Sequence, residues 1–288
     1  MTAHFDTLHA IAGLLVGLLV GLTGVGGGSL MTPLLVLLFG ISPQTAVGTD
    51  LLFAAATKTT GSAVHGWRET VEWRIVRRLA YGSVPAAIVT LAVLARIGKV
   101  DHSAEHVILG SLAGLLALTA LTVLFRNQLV RFAADLDPMH PPFKVVIGTA
   151  ALGAVIGVAV SVSSVGAGAI GVTVLLMLYP KLPMARIVGS DIAHAVPLTL
   201  VAGIGHWVIG DVDLVLLANL LVGSVPGVTL GSLASTRASD GVLRPLLALV
   251  LAVSSWQLFA KAGSPEKVPE KTGTGAAVAA PVPPIKSP

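Results

Sequence analysis

Six apolar segments follow one another along the chain, at about 44–66, 74–97, 104–125, 185–209, 213–234 and 242–260. Each is near the ~20 residues that a helix needs to cross a bilayer. Charge is scarce to match: 11% of the 288 residues are charged, against about 25% in a soluble domain. The body of the sequence therefore reads as an all-α polytopic membrane protein, and a soluble or disordered class is excluded for it. Its apolar content is aliphatic, with 5% aromatics and 32 glycines. Small residues let membrane helices approach closely and let backbone line a site. Without cysteine, disulfides, cysteine–metal sites and thiol catalysis are excluded. The first turn lacks a basic segment, so no cleavable signal peptide is expected.

Two further apolar stretches, 8–40 and 143–179, are too long for single spans. Small residues gather in the middle of each. In the first they are Gly24, Gly26, Gly27 and Gly28; in the second, Ser161, Ser163, Ser164, Gly166, Gly168 and Gly171. Each stretch is expected to form two short helices of roughly 12–16 residues, less than a full crossing requires. The expected shape is a re-entrant or strongly kinked hairpin.

The halves repeat. Residues 48–86 set on 189–227, an offset of 141 without a gap, match at ten of 39 positions. The matches include Asp50 with Asp191, His65 with His206, and the run Gly82-Ser83-Val84-Pro85 with Gly223-Ser224-Val225-Pro226. Apolar bias alone does not pair an Asp, a His and a four-residue run in one register. The expected organisation is a first transmembrane repeat (1–125), a cytoplasmic linker (126–142), a second repeat (143–261) and a disordered tail (262–288) rich in Pro, Gly, Ala and Lys/Glu.

Charge placement orients the chain. If each long stretch enters and leaves by one face, the loops around 67–78, 126–144, 180–186 and 235–244 share a side. They carry 11 Lys/Arg, while the opposite short loops carry only Arg96 and Lys99. If each stretch crosses once, the same residues divide almost evenly. The positive-inside rule selects the first arrangement. It predicts a multi-pass protein of the cell membrane with both termini outside. Three crossings per half then invert the second repeat relative to the first, as in secondary transporters.

Away from the basic ends of the spans, six ionisable side chains stand out: Asp50, Lys58, His65, Asp191, His194 and His206. All lie on one helix and its repeat partner. Such groups are expensive in a bilayer and face a bundle interior or a wet cavity. Asp50 and Asp191, in Gly-Thr-Asp and Gly-Ser-Asp, read either as caps and helix–helix hydrogen bonds or as proton carriers or gates. Asp191 and His194 are three apart and within reach of each other, a pair able to pass a proton near neutral pH. Lys58 stands about 12 Å along the helix from Asp50, too far for a direct contact. It reads either as an anion-attracting charge in the pathway or as a side chain snorkelling to the interface. His65 and His206, beside Trp67 and Trp207, read as interfacial anchors or as gating groups.

The glycine breaks expose backbone, which lipid tolerates only around a cavity or within protein. A helix starting at Gly28-Ser29, and its partner starting near Gly168, would aim free N–H groups and a positive dipole end at that cavity, a setting that binds anions. Gly26, Gly27, Gly28, Ser29, Lys58, Ser164, Gly166 and Gly168 are the candidate substrate-binding residues, and Thr23 and Ser163 add hydroxyls. Tight helix packing through small residues is the alternative use of any single glycine. No HExxH, GxSxG, Walker A or EF-hand pattern is present, and the histidines lack metal-ligand spacing. No catalytic residue, metal, cofactor or nucleic-acid partner is expected.

The run Gly-x-Gly-Gly-Gly-Ser-Leu-x-x-Pro (Gly24 to Pro33), the Ala-Val-Gly-Thr segment (Ala46 to Thr49), Val-Glu-Trp-Arg (Val71 to Arg74), Gly-Asp-Val-Asp (Gly210 to Asp213) and Gly-Ser-Val-Pro-Gly-x-x-Leu-Gly (Gly223 to Gly231) together resemble the TauE/SafE family of sulfite exporters. The likeness covers roughly 8–260. It implies movement, commonly outward, of sulfite, sulfoacetate or other small sulfur-containing anions. Asp50 and Asp191 depart from the small polar residue expected after Gly-Thr, and an acid beside an anion route must titrate or support structure.

The sequence thus points to a transporter that exports sulfite or a related anion, bound near the midplane at paired helix N-termini, with proton coupling or gating through Asp50, Asp191, His194, His65 and His206. The rivals are a passive anion channel of the same architecture and a non-transporting membrane enzyme. Partners are the anion and the bilayer; homo-oligomerisation is left open.

Overall fold

The computed structural model describes residues 6–23, 28–67, 71–97, 102–135, 142–234 and 240–263. Gly24, Gly26, Gly27 and the tail beyond 263 lie outside them. The described residues form ten helices: α1 (Thr7–Thr23), α2 (Gly28–Leu37), α3 (Pro43–Trp67), α4 (Trp73–Ile97), α5 (His102–Asp135), α6 (Pro142–Ser163), α7 (Ala169–Leu178), α8 (Met184–Ile209), α9 (Leu214–Ala234) and α10 (Asp240–Gly263). No strand occurs among the described residues.

Six of these helices are long and apolar enough to cross a membrane. Five match the expected spans. The sixth is Phe143–Ser163, expected as part of a broken stretch. The remaining expected span, 44–66, forms α3, which is long enough but more polar because it carries Asp50, Lys58 and several threonines. The arms of the broken stretches are also unequal: 17 and 10 residues in α1 and α2, 22 and 10 in α6 and α7. Within α6, Gly153 and Gly157 meet backbone of Leu79 and Ser83, and the helix runs on to Ser163. Likewise α5 continues to Asp135, through half of the expected linker.

Helix pairs are matched between the halves. The longest contacts are α1 with α9 and α4 with α6, so the first helix of each half packs on the fourth of the other. Both contacts run through glycine. A Cβ on Gly17 would lie 2.6 Å from the Ser224 carbonyl oxygen, and one on Gly157 would strike that of Ser83. Backbones that meet this closely leave no room for a side chain, the packing that small residues provide between membrane helices. Helices α3 and α8 pack together in the middle. Gly48 abuts His206 and Gly203 abuts Leu52, so the two run antiparallel.

Side-chain bonds tie the halves at matched places. The Glu72 N–H donates to Ser190 Oγ (2.8 Å), and the Asp213 N–H donates to Thr49 Oγ1 (3.1 Å). Beyond α7, Tyr179 Oη lies 2.7 Å from Thr149 Oγ1 in the second turn of α6. Beyond α2, the Phe39 ring stacks on His9 in the first turn of α1, with centroids 4.5 Å apart. In both halves the short helix thus ends beside the start of the longer one. Polarity is distributed inside out, as lipid solvent demands: Leu118, Leu121, Val155, Val222 and Val225 are exposed, while Thr32, Asp50, Ser83, Asp191 and His194 are buried.

Candidate functional site

The break between α6 and α7 is built by backbone that few residues adopt. Ser164 (φ 60°), Gly166 (φ 121°) and Gly168 (φ 124°) all have positive φ. Glycine takes such angles at little cost, and Ser164 is the only non-glycine among the described residues that does so. Ser163 is occupied in holding the turn: its hydroxyl donates to Ala159 O (2.8 Å) and accepts from the Val165 N–H (3.1 Å). It is therefore not the free donor expected from the sequence. Helix α7 then starts with no side-chain cap at Gly168. Val172 is the first of its residues to reach a carbonyl, that of Gly168 (2.8 Å); the preceding N–H groups are those a helix start leaves over.

Four of the six ionisable residues that stand out in the sequence gather deep in the protein. Asp50, Lys58, Asp191 and His194 are all buried, Lys58 included at 7% exposure. Lys58 is thus a buried charge and does not snorkel. Asp50, Asp191 and His194 lie within electrostatic range of it. No carboxylate lies within 4 Å of it among the described residues, so the cluster is a set of charges held apart.

Each acid has a distinct setting. Asp50 Oδ2 accepts a short hydrogen bond (2.5 Å) from Thr32 Oγ1 on α2. Its Oδ1 has no partner, and Ser164 Oγ lies close by, also unpartnered. Asp191 Oδ1 rests against Gly171 in the first turn of α7, in the space that a Cβ there would fill. It too accepts no hydrogen bond. The positive end of α7 thus faces one of the protein's own carboxylates.

His194 does not pair with Asp191. Its Nε2 lies 2.7 Å from Ser83 Oγ on α4, and its Nδ1 is buried and unpartnered. The repeat partner of Ser83 is Ser224, whose hydroxyl has no partner; Phe53 stands where His194 has its match. The halves have diverged at this point from polar to apolar. Ser83 was missed as a site residue because its partner is 111 residues away, though it sits in the run that marks the repeat.

His206, in the last turn of α8, is buried. Its Nε2–H donates to the Ser161 carbonyl (2.8 Å) in the last turn of α6, and Nδ1 lies 3.6 Å from Asp211 Oδ2. His65 is part of α3, but its side chain lies outside the described residues. Gly28 and Ser29 open α2, and Ser29 is buried; Gly26 and Gly27 fall outside the description.

Known proteins align with nearly all of this. The family model described as sulfite exporter TauE/SafE matches residues 9–258. A protein named "Probable membrane transporter protein YjnA" from Bacillus subtilis is 39% identical over 86% of this chain and 98% of its own length. "Probable membrane transporter protein YdhB" from the same organism is 28% identical over 85% and 96%. A "Probable membrane transporter protein" from Xylella fastidiosa is 25% identical over 83% and 89%. No solved structure matches.

Proposed function

The chain belongs to the sulfite exporter TauE/SafE family and is a multi-pass membrane transporter, and from that premise we propose that it exports sulfite or a related small sulfur-containing anion through the buried cluster around Lys58. The observation that carries this reading is a buried lysine with no carboxylate within 4 Å among the described residues. A lysine at the centre of a membrane helix costs about 2.5–3.5 kcal/mol on insertion scales. Such a charge is kept where something pairs with it during function. An oxyanion entering the break would find that charge, the Ser164 hydroxyl, and the free N–H groups from Gly166 and Gly168 into α7. By repeat analogy, Gly28 and Ser29 at the start of α2, with Gly26 and Gly27 before them, serve the other side of the site.

Asp191 makes the binding proton-linked. Its ionised carboxylate and an incoming anion compete for the same helix end and the same lysine, and like charges at short range repel. The anion therefore binds together with a proton on Asp191. His194, with one nitrogen held by Ser83 and the other free, is the relay that delivers it. Asp50, stapled to Thr32, and His206, bonded to the break, couple the charge state to the positions of α2 and α6. His65 is the equivalent of His206 in the first repeat.

The antiparallel register of α3 and α8 and the matched bonds of Glu72 with Ser190 and Asp213 with Thr49 support two inverted repeats, each a glycine-broken hairpin followed by three spans. The basic loops then lie in the cytoplasm, and both termini lie outside the cell membrane. The test is sulfite flux in proteoliposomes containing only this protein. Sulfite movement above that of empty vesicles is expected. No such movement, with another ion carried well, overturns the substrate assignment.

A further inference from the structure

The first turns of α4 carry a basic cluster that the transport site does not use. Arg74, Arg77, Arg78 and Tyr81 line an open cavity of about 320 Å³. Their spacing of three and four residues puts them along one side of the helix. Arg78 is held in place, its guanidinium donating to Tyr179 Oη at 3.0 Å. The nearby acid is taken elsewhere: Glu72 lies 3.7 Å from Arg186. Arg74 and Arg77 have no carboxylate partner among the described residues. Among the described residues, then, these two positive charges have no acid to compensate them.

What lies below the cluster identifies its ligand. Tyr81 is 78% exposed, and the same outer surface of α4 continues through Ile88, Val89 and Val93, all exposed and apolar. The inner face, with Ile75, Leu79, Ser83 and Ala87, is buried. Trp73, exposed at the start of the span, marks the headgroup level as aromatic residues do. A guanidinium group with an apolar track descending from it matches a molecule that is anionic at the top and hydrocarbon beneath. A small free anion would have no use for the track. We infer that this surface is a binding site for an anionic phospholipid, whose phosphodiester is held by Arg74, Arg77 and Arg78 and whose acyl chains lie along Ile88, Val89 and Val93. Arginine forks suit phosphate oxygens, and basic pockets at helix ends hold anionic headgroups.

The test uses the purified full chain in a neutral detergent. Phosphatidylglycerol, phosphatidylcholine with the same acyl chains, and inorganic phosphate are added separately. Bound lipid is read by native mass spectrometry and stability by thermal unfolding. Phosphatidylglycerol is expected to bind and raise the unfolding midpoint, and phosphatidylcholine to do neither. The double variant Arg74→Gln, Arg77→Gln should bind phosphatidylglycerol about thirtyfold more weakly. The control Arg96→Gln, Arg131→Gln removes the same charge elsewhere and should bind as the parent does. Equal binding by the two double variants, or equal binding of the two lipids, overturns the site. Inorganic phosphate reproducing the full stabilisation also overturns it, in favour of a free-anion site.

Discussion

The Asp191 carboxylate and Gly171 meet with nothing between them: Oδ1 fills the volume where a Cβ on Gly171 would stand. The contact joins an acid of α8 to the first turn of α7, and it exists only because residue 171 has no side chain. Gly171→Ala is expected to push the carboxylate aside. Sulfite flux should fall and its pH dependence should flatten, with thermal stability reduced by about 1–3 kcal/mol. Flux with an unchanged pH profile in the alanine variant would separate the contact from the mechanism.

Ser83 holds His194. Ser83→Ala leaves the imidazole buried with neither nitrogen bonded, at a cost of about 1–3 kcal/mol. Because the histidine is proposed to relay a proton, the loss should be larger in flux driven by a pH gradient than in anion binding. Ser224→Ala, at the matching position where the hydroxyl has no partner, should be close to neutral in both measurements. Equal effects of the two alanines would remove any special role for the Ser83–His194 bond.

Glycines of opposite kind give a packing test. Gly157 meets the Ser83 carbonyl, whereas Gly114 on α5 has open space around it. Gly157→Ala should separate α4 from α6 and destabilise by about 1–3 kcal/mol. Gly114→Ala should be neutral or stabilising by up to about 1 kcal/mol, from helix propensity alone. Thermal unfolding in detergent reads both.

The contrast between these glycines shows where the sequence was legible. The second break is visible as a gathering of serine and glycine, and the structure puts it at Ser164, Gly166 and Gly168. Asp50, Lys58, Asp191 and His194 stand out because charge inside an apolar segment needs a reason, and all four are buried together. Gly153 and Gly157, however, look locally the same as Gly166 and Gly168. Only the partner helix α4 distinguishes a packing glycine from a breaking one, and that partner is 70 or so residues away in the chain. The same holds for Thr49 and Ser190, whose hydroxyls are fixed by backbone N–H groups of the opposite half. Asp191 and His194 illustrate the converse error. Their spacing permits a pair, but Ser83 and Gly171 each take one of them.

Lys58 is predicted to supply most of the attraction for the anion. Lys58→Gln should weaken sulfite binding tenfold or more, a loss of about 1.4 kcal/mol or greater. It should also leave the protein folded, since the lysine makes no ion pair to break. Ligand-induced thermal stabilisation measures the change, because it rises with the logarithm of ligand over its dissociation constant. Unchanged affinity would remove Lys58 from the site.

Proton-linked anion binding is tested most directly by comparing the parent protein with Asp191→Asn across pH. The ligand is a sulfonate whose own charge is constant over the range, and its dissociation constant is measured at each pH. The account predicts that the parent binds more weakly as pH rises, while Asp191→Asn retains tight binding at every pH. An asparagine variant with the same pH dependence as the parent would contradict it.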